Sequence, residues 1–334
     1  MMRFLSKRDK QRMPDDSSPA HTVDVGNPEP VSEQIASALP SRLPSAPIVV
    51  GDPTPAFEPK AVGDEYGRTP YRADTMIDGW SRGPFTIRAA SVRGYLHRYN
   101  GAPRQDDFAV TAAPDRERLI VAVADGVSAA RHSHIGSTTA VRYATQWLEE
   151  QPAQEFGDIG WHSLFQNTAW MLTERAAAVL SLPQADAEQA EQALATTLTC
   201  VVCEQHADGG LSATLAGVGD SGVWLLSGAS FIPVLGGKPA SGSGLTSSAV
   251  SGLPRVPNEV EPISVIVEPG QVLLVGTDGF GDPLGSGDGE VGALFASVLA
   301  GRVPSQLEFA HALDFSRETF DDDRTLVAIW PREN

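Results

Sequence analysis

Residues 119–136 read LIVAVADGVSAARHSHIG: an apolar run that ends abruptly in Asp125-Gly126 and gives way to a small polar loop. A short aliphatic run bounded by a turn signal reads as a buried strand. A carboxylate at its end sits at the sheet edge, where it meets other groups without the cost of core burial. Asp125 is therefore the first candidate for a functional acid. Just upstream, Asp107 to Thr111 (DFAVT) reads as a second strand, and Pro114-Asp115-Arg116-Glu117 has the composition of a turn. Antiparallel pairing about that turn sets Asp106 and Asp125 at matching ends of a hairpin. Like charges so placed repel, and a protein tolerates them with a shared proton or a bound cation, or by leaving both as solvated turn residues. The hairpin alone does not choose among these.

Working outward, Phe85 to Arg93 reads as a strand before the hairpin. Ser133 to Glu150 reads as a helix after it. Trp161, Leu164, Phe165, Thr168, Ala169, Leu172, Ala176 and Val179 keep a 3.6-residue period, which predicts a helix from Trp161 to Leu180, and Gln184 to Ala195 extends that helical layer. Strands then return at Thr197 to Glu204, Leu211 to Val218 and Val223 to Leu226. Hairpin counting sets Thr196-Thr197 opposite Val218-Gly219, with Asp220 at one end of the sheet. Ile263 to Val267 and Gln271 to Val275 read as a further hairpin that runs into Thr277-Asp278-Gly279. Helices near Glu290 to Leu299 and Ser305 to Ser316 precede Asp321-Asp322-Asp323 and a last strand, Thr325 to Trp330. Helices come in blocks rather than alternating with strands, so the class expected is α+β, with antiparallel sheets and helices outside.

Composition limits what such a domain does. The 334 residues carry a net charge of -17, which opposes nucleic-acid binding, since phosphate backbones require a basic face. No stretch approaches a membrane span, and the basic tip of Arg3, Lys7, Arg8, Lys10 and Arg12 lacks the apolar core of a signal peptide, so a cytoplasmic protein without membrane insertion is expected. Ten prolines lie between Pro14 and Pro59, and residues 13–84 keep no apolar period. Residues 1–84 are read as a disordered arm, and 85–331 as one catalytic domain. Pro233 to Pro262 is rich in Gly, Ser and Pro, and Leu235 to Glu261 reads as a mobile flap beside Asp220. Cys200 and Cys203 lie three apart in a β-branched run, so they point to opposite sheet faces and read as core rather than as a metal pair.

Each acid by itself is an ordinary turn residue. Five strand ends presenting Asp106, Asp125, Asp220, Asp278 and Asp322, with glycine directly after two of them, suit hard divalent cations. Carboxylates and backbone carbonyls are the ligands that Mg²⁺ or Mn²⁺ takes, and the set fits a two-metal hydrolytic site.

The order of motifs resembles the metal-dependent protein phosphatase 2C family, bacterial branch. The resemblance rests on His97-x-x-x-Gly101-x-Pro103-x-Gln105-Asp106; on Val123-Ala124-Asp125-Gly126 with Ser128-Ala129 and Ser133-x-x-Gly136; and on Thr196-Thr197, Gly219-Asp220-Ser221, Thr277-Asp278-Gly279 and Asp322-Asp323-Arg324-Thr325. It covers about residues 86–330 and implies an αββα sandwich with two Mg²⁺ or Mn²⁺ ions between its sheets. By that resemblance Asp125 bridges both ions, the Gly126 carbonyl completes one, and Asp278 and Asp322 hold the other. Asp106 holds water on the metal, and Asp220 lines a weaker third site. The implied reaction is hydrolysis of phosphoserine or phosphothreonine in proteins by a metal-bridging hydroxide, with a serine/threonine kinase among the partners expected. Val127 stands where some members carry a histidine, and for the phosphate-binding arginine that many members carry in the first motif, Arg98, Arg104 and Arg131 are the candidates here. His132 and His134 are candidates for protonating the leaving group. The alternative is a pseudophosphatase that keeps the fold as a phosphoprotein-binding or regulatory module.

Overall fold

A computed structural model of the chain describes residues 47–66, 72–113, 118–151, 159–236 and 252–332. Its strands are β1 (Thr75–Asp78), β2 (Ser81–Arg82), β3 (Phe85–Val92), β4 (Asp107–Ala113), β5 (Arg118–Ala124), β6 (Leu198–Gln205), β7 (Leu211–Val218), β8 (Gly222–Ser227), β9 (Ser230–Leu235), β10 (Ile263–Val267), β11 (Gln271–Gly276) and β12 (Arg324–Pro331). The helices are α1 (Tyr95–Asn100), α2 (Ser133–Glu150), α3 (Trp161–Leu180), α4 (Ala187–Leu194), α5 (Asp278–Leu284), α6 (Glu290–Leu299) and α7 (Gln306–Leu313). One antiparallel sheet runs β1-β3-β12-β11-β8-β9, with β2 also on β3; the other runs β10-β7-β6-β5-β4.

Alternation along the central strands builds three stacked apolar layers, because successive side chains leave a strand on opposite faces. In β5, Leu119, Val121 and Val123 face the other sheet, while Ile120, Ala122 and Ala124 face helices α2 and α3. In β12, Val327 and Ile329 meet them across the sandwich, and Leu326, Ala328 and Trp330 pack outward against α5 to α7. On that outer face Trp224, Phe280, Phe295 and Phe315 form an edge-to-face chain with ring centroids 4.9–6.1 Å apart. This is the αββα sandwich. Cys200 packs in the helix-facing layer and Cys203 in the layer between the sheets, so the pair is split across β6 as its spacing predicts.

Three differences from the sequence reading have physical causes. Ile263–Val267 and Gln271–Gly276 are not a hairpin: β10 pairs with β7 and β11 with β8 and β12, so the chain changes sheets at Glu268-Pro269-Gly270. The burial patterns record why. Strand β10 alternates between half-buried and exposed positions, as an edge does, whereas β11 is buried on both faces. Next, Leu198 pairs with Val218, which sets Thr197 opposite Gly219, one residue along from the expected register.

The third difference is where the domain starts. Residues 47–82 fall in the expected disordered arm, yet the compact unit begins at Pro47. Val50 is buried, and its N–H donates to the Ser316 carbonyl at 3.0 Å; Phe57 packs edge-on against Tyr95 and Tyr99. Strand β1 adds to the edge of β3, where Ile77 joins the outer apolar layer while Met76 and Trp80 join the layer between the sheets. Polar spacing and prolines mask the extent of this packing, although Met76, Ile77 and Trp80 are the anchors that the sequence offers. Residues 1–46 lie outside the described residues, as do the expected turn at 114–117 and residues 237–251, the centre of the expected flap. The flap's described ends are β9 and a return at Leu253, whose backbone exchanges hydrogen bonds with Thr196 at 2.8 and 3.1 Å.

Candidate metal centre

The register Asp107 opposite Ala124 brings Asp106 and Asp125 to the same end of the β4–β5 hairpin, as the sequence predicts. Asp106 is buried, and its Oδ2 accepts a 2.7 Å hydrogen bond from Thr277 Oγ1, which itself accepts from Thr325 N–H at 3.0 Å. One threonine thus ties the carboxylate of one sheet to two strands of the other. Asp125 is held through its backbone: its N–H donates to Thr197 Oγ1 at 2.9 Å, and its carbonyl accepts from Thr197 N–H and Thr196 Oγ1 at 2.7 and 2.8 Å. Its side chain remains available and feels the charges of Asp106, Asp278 and Asp322. Asp220 lies at the rim, exposed, in the turn whose Ser221 hydroxyl is 2.9 Å from that of Thr197.

Glycines let these loops converge. A Cβ on Gly126 would lie 2.8–2.9 Å from Ser133, so only glycine lets the Asp-Gly loop pass under the start of α2. A Cβ on Gly279 would lie 1.8 Å from the Asp323 carbonyl oxygen, and one on Gly94 would lie 2.2–2.5 Å from Asp321 and Asp322 backbone atoms. The Asp322-Asp323 loop therefore sits clasped between two glycines, beside Asp278 at the first turn of α5. An open cleft of about 180 Å³ lies over this side, lined by Asp278, Asp282, Asp321 and Asp322 among others.

The electrostatics are those of crowded acids. Burial and the charges of Asp323, Asp322 and Asp278 push Asp106 well above the usual carboxylate range. Burial and Asp106, Asp278 and Asp322 do the same to Asp125. Asp322 is the member open to solvent, yet partial removal of its carboxylate from bulk water, with neighbouring Asp323, raises it to about 6 against the pull of His97. Asp278 Oδ1 is buried with no hydrogen-bond partner. Three carboxylates held above their usual range, beside a fourth with an orphaned oxygen, form a donor set that fits hard divalent cations.

Asp323 belongs to a different arrangement, which the sequence reading does not reach. Its Oδ1 accepts from Gly94 N–H at 2.6 Å and lies 2.9 Å from His97 Nδ1, while its Oδ2 accepts from Gln105 N–H at 2.5 Å. Burial alone would raise it, but His97 and the two N–H groups hold Asp323 below the usual range. His97 in turn is raised to about 9: burial opposes its charge, and the Asp323 contact prevails. His97, Asp322 and Asp323 bring ligand atoms within 4.8 Å of one another. Of the candidate phosphate arginines, Arg98 is buried against Asp74 and Asp314, and Arg104 against the Ser91 hydroxyl and the Asp106 carbonyl; Arg131 is exposed on the loop after Gly126. His134 is buried and lowered to about 4 by burial, Arg72 and His132.

Two antiparallel sheets between outer helix layers, with acids clustered at the strand ends, define the architecture of the protein phosphatase 2C fold. Residues 93–308, more than half the chain, match the model of the protein phosphatase 2C family, and the chain belongs to that family. No curated protein matches it. Among solved structures it is similar in fold to the S. agalactiae serine/threonine phosphatase (15% identity, TM-score 0.51, covering 74% of this chain and 100% of that one). It is also similar to a bacterial serine phosphatase solved as a point mutant (15% identity, TM-score 0.50, covering 74% and 98%). The catalytic domain of the serine threonine protein phosphatase PstP, solved with two manganese ions, matches at 15% identity and TM-score 0.47, over 73% of this chain and 97% of that one.

Proposed function

We propose that this chain is a metal-dependent serine/threonine protein phosphatase, and the observation that carries the reading is the convergence of Asp106, Asp125, Asp278 and Asp322, in which burial and the neighbouring charges disfavour the ionised forms of Asp106, Asp125 and Asp322. Asp125, the Gly126 carbonyl, Asp278 and Asp322 would hold two Mg²⁺ or Mn²⁺ ions, and exposed Asp220 would serve a third, weaker one. When bound, such ions supply Lewis-acid activation of water and of phosphoryl oxygens at neutral pH.

The remaining chemistry belongs to the chain. With Oδ2 of Asp106 committed to Thr277, its Oδ1 is the atom left to orient water. Arg131, exposed beside the Asp-Gly loop, takes the phosphate-binding role, because Arg98 and Arg104 are engaged by internal partners. No helix among the described residues is long and apolar enough to cross a membrane. On this reading the substrates are phosphoproteins of the cytoplasm, a serine/threonine kinase among them.

Purified protein should hydrolyse p-nitrophenyl phosphate and a phosphothreonine peptide with Mn²⁺ and stop in EDTA. Full turnover in chelator would end the two-metal reading, and absence of turnover with any divalent ion would leave a binding module.

A further inference from the structure

Arg72 lies upstream of the segment that matches the family, yet its guanidinium reaches into the centre. Its side chain is 12% exposed. Nη2 donates to the Asp106 carbonyl at 2.5 Å, and Nη1 donates to the His134 carbonyl at 3.0 Å and to Thr138 Oγ1 at 2.5 Å. The fork also lies 3.5 Å from Asp107 Oδ2, which accepts from Thr138 Oγ1 at 2.6 Å. One side chain thus spans the start of β4 and the first turns of α2.

The peptide it grips is anchored on every side. Gln105 N–H donates to Asp323, the Gln105 carbonyl accepts from Ser137 Oγ, and the Asp106 carbonyl accepts from Arg104 Nη1 at 2.6 Å as well as from Arg72. Arg104 Nε in turn donates to the Ala73 carbonyl at 3.3 Å, and Asp74 pairs with Arg93 and Arg98 at 3.1 and 3.2 Å. Residues 72–74 therefore occupy the arginines around the first motif and fix the backbone that aims the Asp106 carboxylate.

We infer that Arg72 is a positioning residue for the metal centre: a strap outside the family's own segment sets the direction of Asp106. The inference rests on the phosphatase reading for what Asp106 does, but its geometry is independent of substrate. A guanidinium suits the task because a planar fork reaches several fixed acceptors at once, which a lysine ammonium does not reproduce.

The test uses the full chain with Arg72→Lys, which keeps the charge, and Thr138→Val, which keeps the shape and removes one acceptor of the fork. Asp74→Asn serves as the control, since it loosens the same strap without touching Asp106. Mn²⁺ affinity is read by calorimetry, alongside melting temperature in EDTA and turnover of p-nitrophenyl phosphate at saturating Mn²⁺. Positioning requires Arg72→Lys to weaken Mn²⁺ binding and slow turnover by about tenfold each and Thr138→Val by a smaller factor, with Asp74→Asn lowering only the melting temperature. Arg72→Lys binding Mn²⁺ like the parent would mean that charge alone matters and would overturn the inference. So would Asp74→Asn weakening Mn²⁺ binding as much as Arg72→Lys, since the strap would then act through stability only. A parent chain that binds no Mn²⁺ would remove the phosphatase reading and this inference together; a parent that binds and turns over beside unchanged variants would remove this inference alone.

Discussion

Asp125 answers two opposing demands. Its backbone is pinned by Thr196 and Thr197, while its carboxylate faces Asp106, Asp278 and Asp322, so the fold holds it where its ionised form is least comfortable. Asp125→Asn keeps the shape and removes one charge. Turnover should fall by orders of magnitude, and the melting temperature in EDTA should rise by a few degrees as repulsion is relieved. Near-normal turnover at low Mn²⁺ would show that Asp125 does not bridge the ions. His97 behaves in the opposite way toward Asp323. Its folded value of about 9 lies above the ordinary value near 6.5 for the unfolded chain. The pair's contribution is therefore complete below about pH 6.5 and is lost as the pH rises through 9. His97→Gln should cost on the order of 2 kcal/mol at pH 6 and much less at pH 10, read from urea unfolding at both. An equal cost at both values would mean that the histidine serves by packing alone.

At the level of elements, β1 and β2 carry a test of where the domain begins. A chain starting at Pro47 should melt with the full chain, whereas one starting at Gly83 loses Met76, Ile77 and Trp80 from two apolar layers and Arg72 from the centre. Partial burial of three such side chains is worth on the order of 3 kcal/mol, a drop of about 6–12 °C for a domain of this size, measurable by calorimetry. Equal melting of the two truncated chains would return residues 47–82 to the status of a passive arm. The same elements mark how far the sequence can be read. Helices α2, α3 and α6 and strand β7 fall at the boundaries that periodicity gives, because each buries a broad apolar face. Asp106 and Asp125 are legible as a facing pair because a hairpin's register follows from its turn. Met76, Ile77 and Trp80 are legible as the apolar anchors of the arm, but nothing local marks β1 as a strand, because its four residues gain that meaning from pairing with β3, and nothing marks Arg72, whose partners lie 34 to 66 positions away. The split of β10 from β11 is hidden for a related reason: a turn signal reports that the chain reverses, not that both arms enter one sheet. Helix α5, seven residues with a proline inside, presents no period long enough to detect.

For the whole molecule the acids couple folding to metal. Without ions, Asp106 and Asp125 sit well above the usual carboxylate range and Asp322 at about 6, so the folded chain binds more protons than the unfolded one between about pH 4 and 6 and beyond. Their protonated forms favour the fold, and that support is complete below the unfolded value near 4 and lost as the pH rises through the folded values. His134 works against this, because a buried imidazole lowered to about 4 loses stability as the pH falls through 6.5. Comparing Mn²⁺ with EDTA at each pH cancels His134 and leaves the carboxylates, since the ion binds only the folded set and adds RT ln(1 + [Mn²⁺]/Kd). The gain in melting temperature from Mn²⁺ should therefore be largest near pH 7.5 and shrink steadily toward pH 5, as protons compete with the metal for the raised carboxylates, Asp125 and Asp322 among them. Differential scanning fluorimetry across that range reads the effect directly. A Mn²⁺ shift that stays flat from pH 7.5 to pH 5 would show the ion bound away from these carboxylates, and the clustered strand ends would then be something other than a metal centre.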